Sequence, residues 1–139
     1  MLQERSYNSV KIISINRDEV LAQLSKVAGR IYADHPEVKS VLVFGSIARG
    51  DHAGTSDVDV LIVLRDDEAG EMIGWLRRFY PYFDLPIAVD VLVYTEGEIG
   101  RRLKAGDEFM CRVWEESRAL LSPGSSYVQE DARDELGAR

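Results

Sequence analysis

Three aspartates in the chain are spaced in a way that would let them hold a metal ion. Asp57 and Asp59 are separated by one residue and lead into the apolar run 60–64. Because side chains alternate faces along a strand, the two carboxylates should project from the same face. Two like charges there raise each other's pKa unless a cation lies between them. Carboxylate oxygens suit Mg²⁺, which commonly binds one or two carboxylates together with substrate phosphates.

The third aspartate, Asp90, interrupts a later apolar run, where Val89 and Val91 are its neighbours. An unpaired carboxylate that is buried in an apolar strand is costly, so such a group is normally paired or bound to a metal. This pattern favours a metal-binding or catalytic role for Asp90. The alternative is a structural salt bridge to an arginine such as Arg49.

A glycine-serine pair, Gly45-Ser46, follows another apolar run and precedes Arg49. Glycine permits a tight turn, and the backbone N–H groups and hydroxyl at such a turn can meet a phosphate. The structural alternatives are a simple turn at Gly45 and a helix N-cap at Ser46. Arg49 could bind a phosphate or hold a carboxylate in place. Ser56 could cap the turn before Asp57 and could also contact phosphates.

Composition limits the classes of function. The net charge of −7 and the pI of about 4.8 disfavour non-specific nucleic-acid binding, which needs a surplus of Lys and Arg, so no direct nucleic-acid partner is expected. No stretch is long and apolar enough for a transmembrane helix, and the N-terminus lacks the apolar part of a signal peptide. We therefore expect a cytoplasmic protein without a membrane partner.

Cysteine and histidine offer no metal site in the sequence. The single Cys111 can form neither an internal disulfide nor a thiolate cluster. His35 and His52 fall in predicted loops, and neither is predicted to be a metal ligand. Any metal would therefore rely on the aspartates.

The hydrophobic pattern predicts an α/β (α+β) fold, with a small mixed sheet of three to four strands and helices packed against it. Strands are expected over 10–15, 39–44, 58–64 and 87–94, and helices over 16–33, 68–80, 96–105 and after the capping residue Asp107. Residues 119–121 are either a last strand or the end of that helix. Residues 1–9 are predicted to be loose. One domain should span 1–121, and the polar, acidic stretch 122–139 should be disordered.

The ordered set of motifs resembles the signature of the DNA polymerase β-like nucleotidyltransferase superfamily, and more narrowly its minimal nucleotidyltransferases, the MNT family. The residues that carry the resemblance are Gly45-Ser46, Arg49-Gly50, Ser56-Asp57-Val58-Asp59 and Asp90. It covers roughly residues 16–121. It implies a polymerase β-like nucleotidyltransferase fold, with the three aspartates on one open face of the sheet.

The resemblance also implies an activity: an Mg²⁺- or Mn²⁺-dependent enzyme that moves a nucleoside monophosphate, with AMP from ATP as the leading case, to an acceptor hydroxyl. The aspartates at 57, 59 and 90 would be the catalytic and metal-binding residues. The phosphates would be bound by Gly45, Ser46, Arg49 and Ser56. In a two-metal mechanism, Asp57 and Asp59 would bridge both ions, and Asp90 would hold the ion that activates the attacking oxygen.

Small members that resemble this chain often pair with a helical HEPN-type toxin and act as its antitoxin. The leading acceptor is therefore a Tyr or Ser hydroxyl of such a toxin, and the chain is expected to bind an NTP and to form a hetero-complex or a homo-oligomer. One alternative is a non-catalytic module that neutralises its partner by contact, which the presence of all the site residues disfavours. Others are transfer to an antibiotic or another small molecule, and a nuclease activity.

Overall fold

The computed structural model describes residues 17–50 and 57–120, together with the backbone of 2–7 and 10–15. The strands are β1 (Leu2–Tyr7), β2 (Val10–Ile15), β3 (Val38–Phe44), β4 (Val58–Leu64), β5 (Val89–Thr95) and β6 (Arg118–Ala119). The helices are α1 (Arg17–Asp34), α2 (Ser46–Arg49), α3 (Met72–Phe79), α4 (Glu96–Lys104) and α5 (Glu108–Glu116), and a 3₁₀ turn (Tyr80–Phe83) follows α3.

A four-stranded mixed sheet forms the centre of the molecule, in the order β5-β4-β3-β6. Strand β3 pairs antiparallel with β4 and with β6, whereas β4 and β5 are parallel. Parallel neighbours need a crossover connection, which α3 and the 3₁₀ turn supply. The predicted fold class, a small mixed sheet with helices packed against it, is confirmed.

Helices cover both faces of this sheet and create two apolar cores. Helices α1 and α3 pack on one face, where Leu24, Ile31 and Phe79 are fully buried. Helices α4 and α5 pack on the other, around Ile99 and Met110. The strands alternate between the two cores, so each of their central residues is buried on one face or the other. Burying one such large apolar side chain is worth about 1.5–3 kcal/mol, so these two cores dominate the stability of the fold.

Helix α5 is fixed at its start by the side chain of Asp107, which accepts a hydrogen bond from the Met110 N–H at 2.9 Å, as the sequence predicted. The guanidinium of Arg102 on α4 donates to Asp107 at 3.3 Å and to Glu98 at 2.8 Å. These contacts tie the two helices together.

Two predictions about the elements were wrong. Residues 2–7 are not loose but form β1, which pairs antiparallel with β2 from Leu2↔Ile15 to Tyr7↔Val10. A hairpin satisfies its backbone groups whatever its side chains are, so a polar strand gives little signal in the sequence. The helix expected over 68–80 begins only at Met72, because Gly70 has a φ of 132°, outside the helical region.

The other predicted elements are confirmed to within a few residues. Strand β4 has the predicted bounds, and residues 118–119 pair as a short strand rather than extending α5. The predicted first residue of the first helix, residue 16, and the predicted boundary at 121–122 lie outside the described residues. No helix within 17–50 or 57–120 has the length and apolar character needed to cross a bilayer.

Candidate functional site

The carboxylates are brought together by the pairing of β4 with its neighbours. Asp59 on β4 lies beside Phe44 on β3 and Asp90 on β5. Along β4, Asp59 shares a face with Leu61, which is buried in the core that α4 and α5 cover. By the same alternation, Asp90 shares that face with Leu92. Both aspartates therefore lie on the face that α4 and α5 cover, at the end of the sheet where that face is accessible to solvent.

A cleft of about 490 Å³ lies at this end of the sheet. One wall comes from the end of β3, α2 and the start of β4, and consists of Phe44, Gly45, Ser46, Arg49, Asp57 and Asp59. The other wall comes from α5 and consists of Phe109, Arg112, Val113 and Glu116. Five of the predicted site residues thus share one cleft. Ser56 lies outside the described residues, and its role stays a prediction.

Gly45 has a backbone conformation that its neighbourhood requires. Its φ of 75° and ψ of −154° fall in a region that essentially only glycine adopts. A Cβ at this position would also collide with the carboxylate of Asp59. Helix α2 begins at the next residue, so the cap position is Gly45, and the alternative of Ser46 as an N-cap is wrong. Glycine here lets the β3–α2 turn lie against the acidic strand.

The turn that carries Ser46 is held in place by hydrogen bonds from α1 and within α2. Arg17, at the start of α1, donates from Nε to the carbonyl oxygen of Ile47 at 2.8 Å, and Ile47 is fully buried in the core under α1. The N–H of Arg49 donates to the Gly45 carbonyl at 3.0 Å. These contacts hold the Gly45-Ser46 turn in one place relative to Asp59.

Arg49 pairs with a carboxylate that the sequence analysis did not single out. Its Nη1 lies 3.0 Å from Oε1 of Glu116, the last residue of α5. Of the two roles predicted for Arg49, the structure therefore shows the holding of a carboxylate, across the cleft between α2 and α5. Glu116 is seven residues after Phe109, a helical spacing that would place both on one face of α5. This periodicity was the available signal for the second wall.

The site concentrates negative charge around Asp59. Burial raises the pKa of the Asp59 carboxyl, and the charges of Asp90, Asp57 and Glu116 raise it further, whereas Arg49 lowers it. Among the described residues, two arginines of the cleft, Arg49 and Arg112, thus face four carboxylates, and Arg49 is itself paired with one of them. The local charge favours a cation.

Asp90 differs from its prediction in burial. The sequence argument assumed a buried carboxylate, but the side chain is exposed. Strand β5 lies at the edge of the sheet. Because side chains alternate between its two faces, Val89 and Val91 are buried on one face and Asp90 lies on the other, which the helices cover only in part at this edge. The burial premise was wrong, and the register beside Asp59 is now the reason to group Asp90 with the site.

The donor set fits a magnesium ion only in company with other ligands. Within 17–50 and 57–120, no three acidic, histidine or cysteine side chains lie close enough together to hold a metal by themselves. The available donors are carboxylate oxygens. Burial and, after it, repulsion by the neighbouring carboxylates raise the pKa of Asp59, and a divalent cation would relieve that repulsion. Because Mg²⁺ keeps waters and substrate phosphates among its ligands, the aspartates fit an ion that arrives with a triphosphate.

Residues 24–121, more than half of the chain, match the family model described as "Nucleotidyltransferase domain". The chain belongs to the nucleotidyltransferase domain family. The matched region contains the whole cleft, including both of its walls. No match was found among curated proteins.

Comparison with solved structures finds one with a similar fold and two that match more weakly. The nucleotidyltransferase-domain chain is similar to a Sulfolobus solfataricus protein proposed to be a nucleotidyltransferase, with a TM-score of 0.60 and 22% identity over 82% of this chain and 90% of the other. It is also similar to a toxin–antitoxin complex with AMP-PNP, with a TM-score of 0.46 and 17% identity over 89% of this chain and 82% of the other. A mutant of the toxin–antitoxin pair MntA–HpeT gives a TM-score of 0.47 and 17% identity over 89% and 80%.

Proposed function

We propose that this nucleotidyltransferase-domain protein transfers AMP from ATP to a hydroxyl group of a partner protein, with Mg²⁺ or Mn²⁺ as the metal. The observation that carries the proposal is the convergence of the Gly45-Ser46 turn with Asp57 and Asp59 in one cleft. The cleft brings a phosphate-binding type of turn against an acidic strand that repels a bare triphosphate. Such a pairing suits a nucleotide that binds together with its metal.

The Gly45-Ser46 turn would bind the β- and γ-phosphates. Gly45 has no side chain to obstruct them, and backbone N–H groups at a turn of this kind can meet a phosphate. The Ser46 hydroxyl can add one hydrogen bond. Arg49 is already close by and could exchange its contact with Glu116 for a phosphate.

The aspartates would hold the metal and accept the proton. Asp57 and Asp59 would hold divalent cations together with the phosphates, and Asp90 would help to hold the ion that lowers the pKa of the acceptor hydroxyl. The acceptor oxygen then forms a bond to the α-phosphorus, and the bond from that phosphorus to the β-phosphate oxygen breaks. Pyrophosphate leaves, and the hydroxyl proton passes to the exposed carboxylate of Asp90.

The acceptor is proposed to be a Tyr or Ser hydroxyl of a HEPN-type toxin, neutralised in the cytoplasm by nucleotidylation. This part rests on the resemblance of the motifs to the minimal nucleotidyltransferases. Exposure of Asp90 on an edge strand is compatible with it, because a side chain of another protein can approach that carboxylate from solvent.

The test is a labelling experiment with the product of the neighbouring gene as acceptor. ATP labelled at the α-phosphate should label that product when the full-length protein and Mg²⁺ are present, and ATP labelled at the γ-phosphate should not. Asp59→Asn should abolish labelling, and Asp67→Asn, at the opposite end of β4, should not. Neutralisation of the partner without any transfer of label would contradict the proposal and identify a binding module.

A further inference from the structure

One face of α5 is directed at the cleft and carries side chains that the proposed chemistry does not use. Phe109, Arg112, Val113 and Glu116 follow the spacing of a single helical face and all line the cleft. Met110 and Trp114, on the other side of the helix, are buried in the core below. The cleft-facing side is thus a wall of the site as well as a cover for the sheet.

Phe109 is conspicuous on this wall because it is a large apolar residue that is 44% exposed. Among the described residues it belongs to neither apolar core, although Met110 and Val113 beside it do. The ring therefore contributes little to core packing. It sits in the first turn of a helix that Asp107 caps, so its backbone is held in place.

The direction of α5 relates this ring to the phosphate end of the cleft. The C-terminal residue, Glu116, contacts Arg49 next to the Gly45-Ser46 turn. Phe109 lies seven residues earlier, which corresponds to about 10 Å along a helix axis. Arg112 lies between the two. A nucleotide likewise carries its phosphates at one end and its base at the other.

We infer that Phe109 is the stacking platform for the base of the bound nucleotide, with Arg112 next to the sugar-phosphate part; this inference rests on the proposed function. Every nucleobase has a π-face, so stacking on an exposed aromatic ring adds affinity with little discrimination between bases. Phe109 is thus a positioning residue, which sets how tightly the nucleoside end is held while the aspartates act on the phosphate.

The test compares two ligands that share the phosphates but not the base. Calorimetry of the full chain in Mg²⁺ would measure ATP and inorganic tripolyphosphate with the wild type, Phe109→Ala, Phe109→Tyr and the control Ile73→Ala, an exposed apolar residue on α3. Phe109→Ala should weaken ATP and GTP binding by roughly 5- to 150-fold, the range of base–aromatic stacking, and leave tripolyphosphate binding unchanged. Phe109→Tyr should restore ATP affinity, and Ile73→Ala should change neither ligand.

The outcomes separate this inference from the proposed function. Wild-type ATP affinity in Phe109→Ala, with transfer of label intact, would overturn the stacking role and leave the transferase. An equal loss for ATP and tripolyphosphate would also overturn it, because it would indicate a general disturbance of the cleft. If the wild-type protein bound neither ligand in Mg²⁺, both proposals would fail.

Discussion

The two ends of the central sheet both carry acidic side chains, but these are paired with basic groups to very different extents. Where β3 begins and β4 has ended, Arg78 donates to Glu37 at 2.8 Å and to Glu68 at 2.6 Å. At the other end, Asp57, Asp59 and Glu116 line the cleft, Asp90 lies beside Asp59 on the next strand, and Arg49 is paired with Glu116. One cluster is neutralised by its neighbours and the other is left acidic.

The neutralised end also fixes elements to one another. Nδ1 of His35 lies 3.0 Å from Glu37, and its Nε2 lies 3.0 Å from the hydroxyl of Tyr82. That hydroxyl donates to Asp34 at 2.6 Å. The contacts join the end of α1, the start of β3 and the 3₁₀ turn. At this end, the charged side chains therefore stabilise the packing of the elements.

The pKa directions express the difference. Burial alone would raise the pKa of Glu37, but its own backbone N–H, His35 and Arg78 outweigh this and lower it. For Asp59, burial and three carboxylates all raise the pKa. Because burial and repulsion both disfavour the charged form of Asp59, its ionisation lowers the stability of the folded state. A cluster that costs stability and lies in a cleft is typical of a functional site.

Asp90→Asn, at the acidic end, should give a large loss of transfer activity. Asparagine keeps the shape but loses the charge and the basicity, so transfer should fall by about 10²- to 10⁴-fold, the usual contribution of a general base. Nucleotide with Mg²⁺ should still bind within about tenfold of the wild type, because Asp57 and Asp59 remain. Single-turnover transfer and calorimetry measure the two quantities. Wild-type transfer would remove Asp90 from the mechanism, and unfolding would make it a structural residue.

Gly45→Val should destabilise the fold by about 1–3 kcal/mol through backbone strain alone, with the clash against Asp59 in addition. Ser46→Ala, next to it, should leave the protein folded and weaken nucleotide binding by about 0.5–1.5 kcal/mol, the value of one hydrogen bond. Urea unfolding and calorimetry distinguish the two variants. Equal stability of both would refute the strained conformation, and unchanged binding in both would remove the turn from the phosphate site.

Arg78→Ala should cost about 1–2 kcal/mol of unfolding free energy, because it leaves two partly buried carboxylates without their shared donor. The matched control is Arg101→Ala, which removes an ion pair to Glu98 at an arginine side chain that is 71% exposed. Exposed pairs are worth about 0–1 kcal/mol, so the control should change little. If the two variants lose equal stability, the two ends do not differ as described.

The pH dependence of stability should have opposite signs at the two ends. The lowered pKa of Glu37 gives stability that is present above its unfolded value near 4.5 and is lost as pH falls through the lowered value. The raised pKa of Asp59 gives a destabilisation that is absent below 3.8 and grows as pH rises through the raised value.

Urea unfolding of the wild type and of two variants between pH 3 and 7 would measure both effects on the free energy of unfolding. Glu37→Gln should be less stable than the wild type at neutral pH, and Asp59→Asn should be more stable there. Each difference should be less than about 1 kcal/mol, because solvent screens both groups, and should shrink in acid. If both variants changed the free energy of unfolding in the same direction at pH 7, the proposed difference between the two ends of the sheet would be contradicted.

The sequence predicted the acidic end better than its surroundings. The alternation of β4 correctly placed Asp57 and Asp59 on one side, because periodicity is a local property. The exposure of Asp90 was missed, since it depends on β5 being an edge strand, and strand order is not local. The wall of Phe109 and Glu116 was missed for the same reason: a helical face becomes part of a site only when the helix docks.

The neutralised end was not predicted at all. Arg78 reaches Glu37 across 41 positions of the sequence, and Tyr82 reaches His35 across 47. His35 was expected to be an ordinary loop residue, and the spacing gave no sign of its partners. Contacts of this range arise from the packing of α1, α3 and the 3₁₀ turn on one side of the sheet.

The most direct test of the account is the affinity of the full chain for ATP, measured by calorimetry in a chelator and in Mg²⁺. The uncompensated carboxylates repel a bare triphosphate, so ATP should bind weakly in the chelator and distinctly more tightly in Mg²⁺ or Mn²⁺. In Asp59→Asn this difference should shrink. Equal wild-type affinity under the two conditions would contradict the claim that the acidic end of the sheet is a metal-nucleotide site.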